Sequence, residues 1–154
     1  MRTRILFLVL AVAAAMAQTA EMRPARSADL VGTWQMVSLS KPENVEGTDT
    51  VLAPYQLFQF QANGRMKHMT ATKAFTSLAL FQAAPAITRY TLNKSGTLAL
   101  TNPNWNAPRQ YKCSLIVAPA TTADPKQPRA GDILLTGSEA PNQPTWSKLL
   151  RRLP

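Results

Sequence analysis

From residue 30 onward, apolar and polar side chains alternate in short runs separated by turn formers, a period of two that predicts strands. In "LVGTWQMVSL", Leu30, Gly32, Trp34 and Met36 share one face. In "YQLFQFQANGRMKHMT", two alternating runs flank Asn63-Gly64, a pair suited to a two-residue type I′ hairpin. Phe58 and Phe60 lie on one face there, with Gln59 and Gln61 on the other. "ITRYTL" and "TLALT" flank "NKSG", a second hairpin with Gly96 placed for a left-handed residue. The remaining strand-like runs are "RQYKCSLIVA", "DILLTGS" and "TWSKLLRRL". Between 72 and 83 the pattern changes: Phe75, Leu78, Ala79 and Gln82 fall at helical spacing, which predicts a short helical insertion ending before Pro85.

The expected strands are 30–39, 55–61, 65–71, 87–92, 97–102, 109–117, 132–138 and 145–153. Nearly all connections are short antiparallel turns. An all-β, eight-stranded, antiparallel up-and-down barrel is the economical arrangement, because closure leaves no long strand edge exposed. A two-sheet sandwich is the alternative, since strand number alone does not decide between them. The barrel domain would span 30–154, preceded by a flexible lead-in over 18–29, where Pro24 and scattered charges show no period.

The N-terminus adds a compartment. Arg2 and Arg4 precede an apolar run, Ile5 to Ala17, that ends in the small-x-small triplet Ala15-Met16-Ala17. This is the pattern of a signal peptide over 1–17, cleaved near Ala17, and it implies a periplasmic or secreted protein. The run is too short for a transmembrane anchor, which needs roughly 20 residues. Cys113 is the single cysteine, so no internal disulfide forms, and its apolar surroundings suit a buried, inert thiol.

Candidate chemistry is sparse. His68 is the lone histidine, with no acid or cysteine at ligand spacing, so neither a zinc site nor any other metal site or cofactor is expected. No Gly-x-Ser-x-Gly elbow and no glycine-rich phosphate loop occurs. The chain carries a formal charge of +9, yet its basic residues are scattered singly, and Arg151-Arg152 is the one adjacent pair beyond the leader. That distribution argues against a nucleic-acid partner and for solubility with weak association with an anionic envelope surface. Phe58, Phe60, Met66 and Tyr90 are the candidates to line a barrel interior. Arg89 and Lys67 are candidates for an inward charge that pairs with an anionic ligand group, against the plainer expectation that they face solvent.

"LVGTWQMVSL", the hairpin residues Leu57, Phe60, Asn63, Gly64, Arg65 and Met66, and the basic end of the last strand together resemble the bacterial lipocalin-like domains of the calycin superfamily. The resemblance covers residues 29–153. It implies that Trp34 plugs one end of the barrel, that Arg151 or Arg152 stacks on its ring, and that Gly32 lets the first strand bend where the barrel closes. It further implies a small hydrophobic or amphiphilic ligand held inside. Two alternatives stay open. Barrels resembling bacterial metalloprotease inhibitors bind a protease through an N-terminal arm, here 18–29, although they usually carry a disulfide. Calycin-like isomerases or cyclases would use His68 or Tyr90 as the acid–base group. Unlike lipocalins with a disulfide and a C-terminal helix, this chain has neither, and it adds the insertion near 72–83.

Overall fold

The two hairpins set the pattern of the wall. In the first, the Gln61 N–H donates to the Arg65 carbonyl (2.9 Å) and the Gly64 N–H to the Gln61 carbonyl (3.1 Å). In the second, the Asn93 N–H donates to Thr97 and the Gly96 N–H to Asn93, both at 3.1 Å. Each is therefore a three-residue loop closed by a left-handed glycine, with φ of 77° at Gly64 and 81° at Gly96. The two-residue turn expected at Asn63-Gly64 is corrected by one residue. Asn63 serves as an acceptor for the Arg65 N–H instead of as a paired turn centre.

The computed structural model describes residues 20–40, 53–119, 126–138 and 145–154. The leader expected over 1–17 lies outside the described residues. The elements are β1 (Glu21–Pro24), α1 (Ser27–Leu30), β2 (Gly32–Ser40), β3 (Tyr55–Phe60), β4 (Arg65–Ala71), α2 (Ala79–Ala83), β5 (Thr88–Leu92), β6 (Thr97–Thr101), β7 (Arg109–Ala118), β8 (Ile133–Gly137) and β9 (Trp146–Arg152). Strands β2 to β9 pair antiparallel in chain order, and β9 returns to pair with β2. The result is a closed eight-stranded up-and-down barrel, and closure excludes the sandwich.

Two expectations change. The first is the flexible lead-in expected over 18–29, of which 18 and 19 lie outside the described residues. Instead Glu21–Pro24 pair with β7 at Ser114–Ala118, and Ser27–Leu30 form one helical turn. β1 takes up the edge of β7 just where β6 begins: the Cys113 N–H donates to Gly96 (2.7 Å), and the Cys113 carbonyl accepts from Ala25 (3.0 Å). A four-residue strand is too short to show a period, so only a partner strand can reveal it. The insertion is also shorter than expected. Its helix covers only Ala79–Ala83, with Phe81 buried and Leu80 exposed.

Inward-facing residues form one core of Trp34, Met36, Phe58, Phe60, Met66, Tyr90, Leu98, Leu100, Ile133, Leu135, Trp146 and Leu150, among others. A bulge in β2 at Val37 shifts its register against β9, so Trp34 and Met36 face inward before it and Leu39 packs on the core after it.

Candidate functional site

The two ends of the barrel differ. At one end Trp34, fully buried, donates its indole N–H to the Leu30 carbonyl at 2.7 Å. Arg152 lies 4.6 Å from the Trp34 ring centre and donates to the carbonyls of Val31 and Asp29, each at 2.6 Å. Three carbonyls at the end of α1 are thus satisfied by the Trp–Arg pair, which would otherwise leave them without helical partners. Between Arg151 and Arg152 the structure selects Arg152. Arg151 instead binds the buried Asp132 carboxylate through Nε (3.1 Å) and Nη2 (2.7 Å). Gly32 has φ of 142°, and a Cβ there would sit 2.6 Å from Nη1 of Arg152. Its role is to make room for the guanidinium, a more specific one than the strand bend expected.

Beyond this plug the barrel holds a cavity of about 430 Å³. Phe58, Phe60, Met66, Leu98, Leu100 and Leu135 supply its apolar wall. Trp146, Tyr111 and Trp105 add aromatic surface, and Lys148, Arg109 and His68 bring polar groups to it. On one side the wall is thin. β4 pairs with β5 only through Arg65–Arg89 and Met66–Thr88. The segment after α2 fills the gap, and Ala84, Pro85 and Ile87 line the cavity there. It is held by Arg65 donating to Ala86 (3.2 Å) and Lys67 donating to Gln82 (2.7 Å). The insertion is therefore part of the cavity wall.

Gln56 organises the polar wall. Fully buried on β3, it donates its amide NH₂ to the Ala53 carbonyl (2.9 Å), which orients Oε1 toward the interior. That oxygen accepts from Lys148 Nζ at 2.9 Å and lies 3.1 Å from His68 Nε2. Because Oε1 can only accept, Nε2 of His68 carries the proton and Nδ1 is the lone-pair nitrogen of the neutral ring. His68 stacks on Phe58, with ring centres 4.4 Å apart. His68 is solvent-exposed as a residue and lines the cavity. The protein packed around its ring, followed by the positive charges of Lys148 and Arg109, pushes the imidazole down to about 3.

Lys148 is only 3% exposed. Its ammonium lies 4.5 Å from the Trp146 ring centre and 5.9 Å from that of Phe58. The guanidinium of Arg109 lies 4.4 Å over Trp105. Trp146 is buried, and its indole N–H has no hydrogen-bond partner among the described residues, a state that costs roughly 1–3 kcal/mol. No acidic side chain among the described residues lines the cavity.

Of the interior candidates, Phe58, Phe60 and Met66 line the cavity. Tyr90 is buried in the core, edge-on to Phe60, with its hydroxyl donating to the Gln61 carbonyl at 2.7 Å. Arg89 is exposed, because its neighbours Thr88 and Tyr90 take the inward positions of β5. The inward cations are Lys148 and Arg109, and Lys67 reaches the cavity only at the thin side of the wall. Lys148 did leave a signal: it stands between Trp146 and Leu150 at a period of two, on the apolar parity of its strand. Gln56 left one too, sharing parity with Phe58 and Phe60. Arg109 and Trp105 left none, since the turn-rich "NPNWNAP" hides which face the next strand presents. No family model, curated protein or solved structure matches the chain.

Proposed function

We propose that this protein binds a small amphiphilic molecule inside its barrel. The observation that carries the reading is the cavity of about 430 Å³, walled by aromatic and aliphatic side chains with a few polar groups converging on it. Its size falls within the roughly 300–1,000 Å³ of small-molecule sites. The Trp34–Arg152 plug closes the opposite end and supports membership among the lipocalin-like barrels. The leader-like residues 1–17 support export, so the ligand would be met outside the cytoplasm.

His68 in the cavity favours the isomerase or cyclase alternative by one observation. An imidazole held down to about 3, however, is a weak base at neutral pH, and its proton is engaged with Gln56. It suits a hydrogen-bonding role toward a ligand better than proton abstraction. The inhibitor alternative needs a free arm over 18–29, yet residues 21–30 are built into the barrel through β1, α1 and buried Ala25 and Leu30.

The test is mild purification from the native source, organic extraction and mass spectrometry. A stoichiometric amphiphile is expected. A blank extract that persists after incubation with envelope lipids overturns the reading.

A further inference from the structure

The insertion that completes the cavity wall also presents an apolar surface to the outside. Residues 74–88 carry no charged side chain, and Lys73 and Arg89 bound them. Phe81 turns into the protein, yet Leu80 beside it is 78% exposed and Ile87 is 47% exposed. Ala79, Ala83 and Pro85 are exposed as well.

Cations surround this segment. Arg65 donates to the carbonyl of Ala86, the residue before Ile87, and Lys67 to the carbonyl of Gln82, just past Leu80. Those bonds leave both positive charges in place. Arg89 is exposed and stands directly across from Arg65, a like-charge pair that destabilises a sheet and that an anionic surface would relieve. Lys73 is exposed too. The acids among the described residues stand elsewhere: Glu21 on β1, Asp29 in α1 and Asp132 beside β8. Two exposed aliphatic side chains are too few for the apolar core of a stable protein interface. They suffice for shallow insertion at a bilayer surface, where apolar side chains reach the acyl boundary and cations meet anionic headgroups.

We infer that residues 79–87, with Arg65, Lys67, Lys73 and Arg89 around them, dock this protein on an anionic lipid bilayer. Leu80 and Ile87 enter the bilayer surface, and the four cations hold its headgroups. Ile87 also lines the cavity, so docking sets the thin side of the barrel wall against the membrane. Docking itself needs no ligand, so it stands or falls apart from the binding reading above.

The experiment is co-sedimentation of the protein, at about 0.1 M salt, with vesicles of phosphatidylcholine alone or mixed equally with phosphatidylglycerol. Binding to the anionic vesicles is expected to be at least about ten-fold tighter. Leu80→Ser and Arg89→Glu should each weaken it by roughly five-fold or more. Both side chains are exposed, so the thermal midpoints should not move. Lys112→Glu makes the same change in net charge on an exposed position of β7, with β6 between it and β5, and should weaken binding far less. A loss with Lys112→Glu equal to that with Arg89→Glu overturns the inference, because the attraction would then be diffuse. Equal binding to both vesicles, or undiminished binding by Leu80→Ser, overturns it too. So does failure to bind either vesicle, and a dimer that Leu80→Ser dissociates would then give the face to a second copy of the chain. A blank organic extract would remove the binding reading and leave the vesicle result to decide docking.

Discussion

At Gly32 a single hydrogen decides whether the barrel end closes. The residue combines a φ of 142°, rare for any side chain, with an Arg152 guanidinium 2.6 Å from where a Cβ would lie. Gly32→Ala must therefore both strain the backbone and displace Arg152 from Trp34, Val31 and Asp29. The expected loss is roughly 1–3 kcal/mol in denaturant unfolding, from backbone strain together with the cation–π contact. An unchanged midpoint would show that Arg152 is not held there in solution. Gly32-Thr33-Trp34 was legible in the sequence as the start of an alternating strand. That Arg152 and not Arg151 stacks on Trp34 was not, because adjacent strand residues face opposite ways and only the pairing of Trp34 with Arg152 decides the face.

Among the elements, β1 and α1 form a brace joined by one ion pair. Arg23 grips Asp29 with both guanidinium nitrogens, at 2.8 and 3.0 Å, and the Arg26 N–H donates to the same carboxylate at 2.8 Å. The Arg23 hydrogen bonds, set against partial burial and aided by the Arg26 N–H, hold the Asp29 carboxyl below its usual 3.8. A lowered acid stabilises the fold above its unfolded value, and that contribution is lost as pH falls through the folded value. Asp29→Asn should therefore lower stability modestly above pH 3.8 and converge with the unsubstituted protein in stronger acid. Thermal melts across pH check this, and a constant offset at all pH values would assign the loss to packing instead. The strands β2 to β9 were readable because each carries an alternating run between turn formers. β1 was not, because four residues ending in Pro24 become a strand only through the free edge that β7 offers. For α2, helical spacing over 72–83 was a real pattern, but just five residues follow it once Lys67 and Arg65 tie the segment along β4.

For the whole molecule, the side chains gathered around the cavity set the state of His68. Inside the barrel, with Lys148 and Arg109 nearby, the imidazole is held down to about 3 against its ordinary 6.5. The unfolded chain takes up a proton there that the folded barrel refuses, so stability from this group is complete above 6.5 and is lost as pH falls toward 3. His68→Gln should flatten the stability curve across that interval, as read from denaturant midpoints at successive pH values. An unaltered slope would place His68 in ordinary solvent and remove it from the cavity wall.

The sequence by itself determined the positions of strands β2 to β9 and the all-β class, since alternation and turn chemistry are local properties that neighbouring residues carry together. It named Phe58, Phe60 and Met66 as interior candidates, while closure against the sandwich came only with the pairing of β2 to β9. Only the tertiary structure decided which charges enter the barrel. Arg89 faces out and Lys148 faces in because the lumen is defined jointly by all eight strands and by the bulge at Val37, which reverses the parity of β2 against β9. The polar wall itself, Gln56 between Lys148 and His68, joins the β3–β4 hairpin to β9 at the far end of the chain, and no local pattern records that meeting.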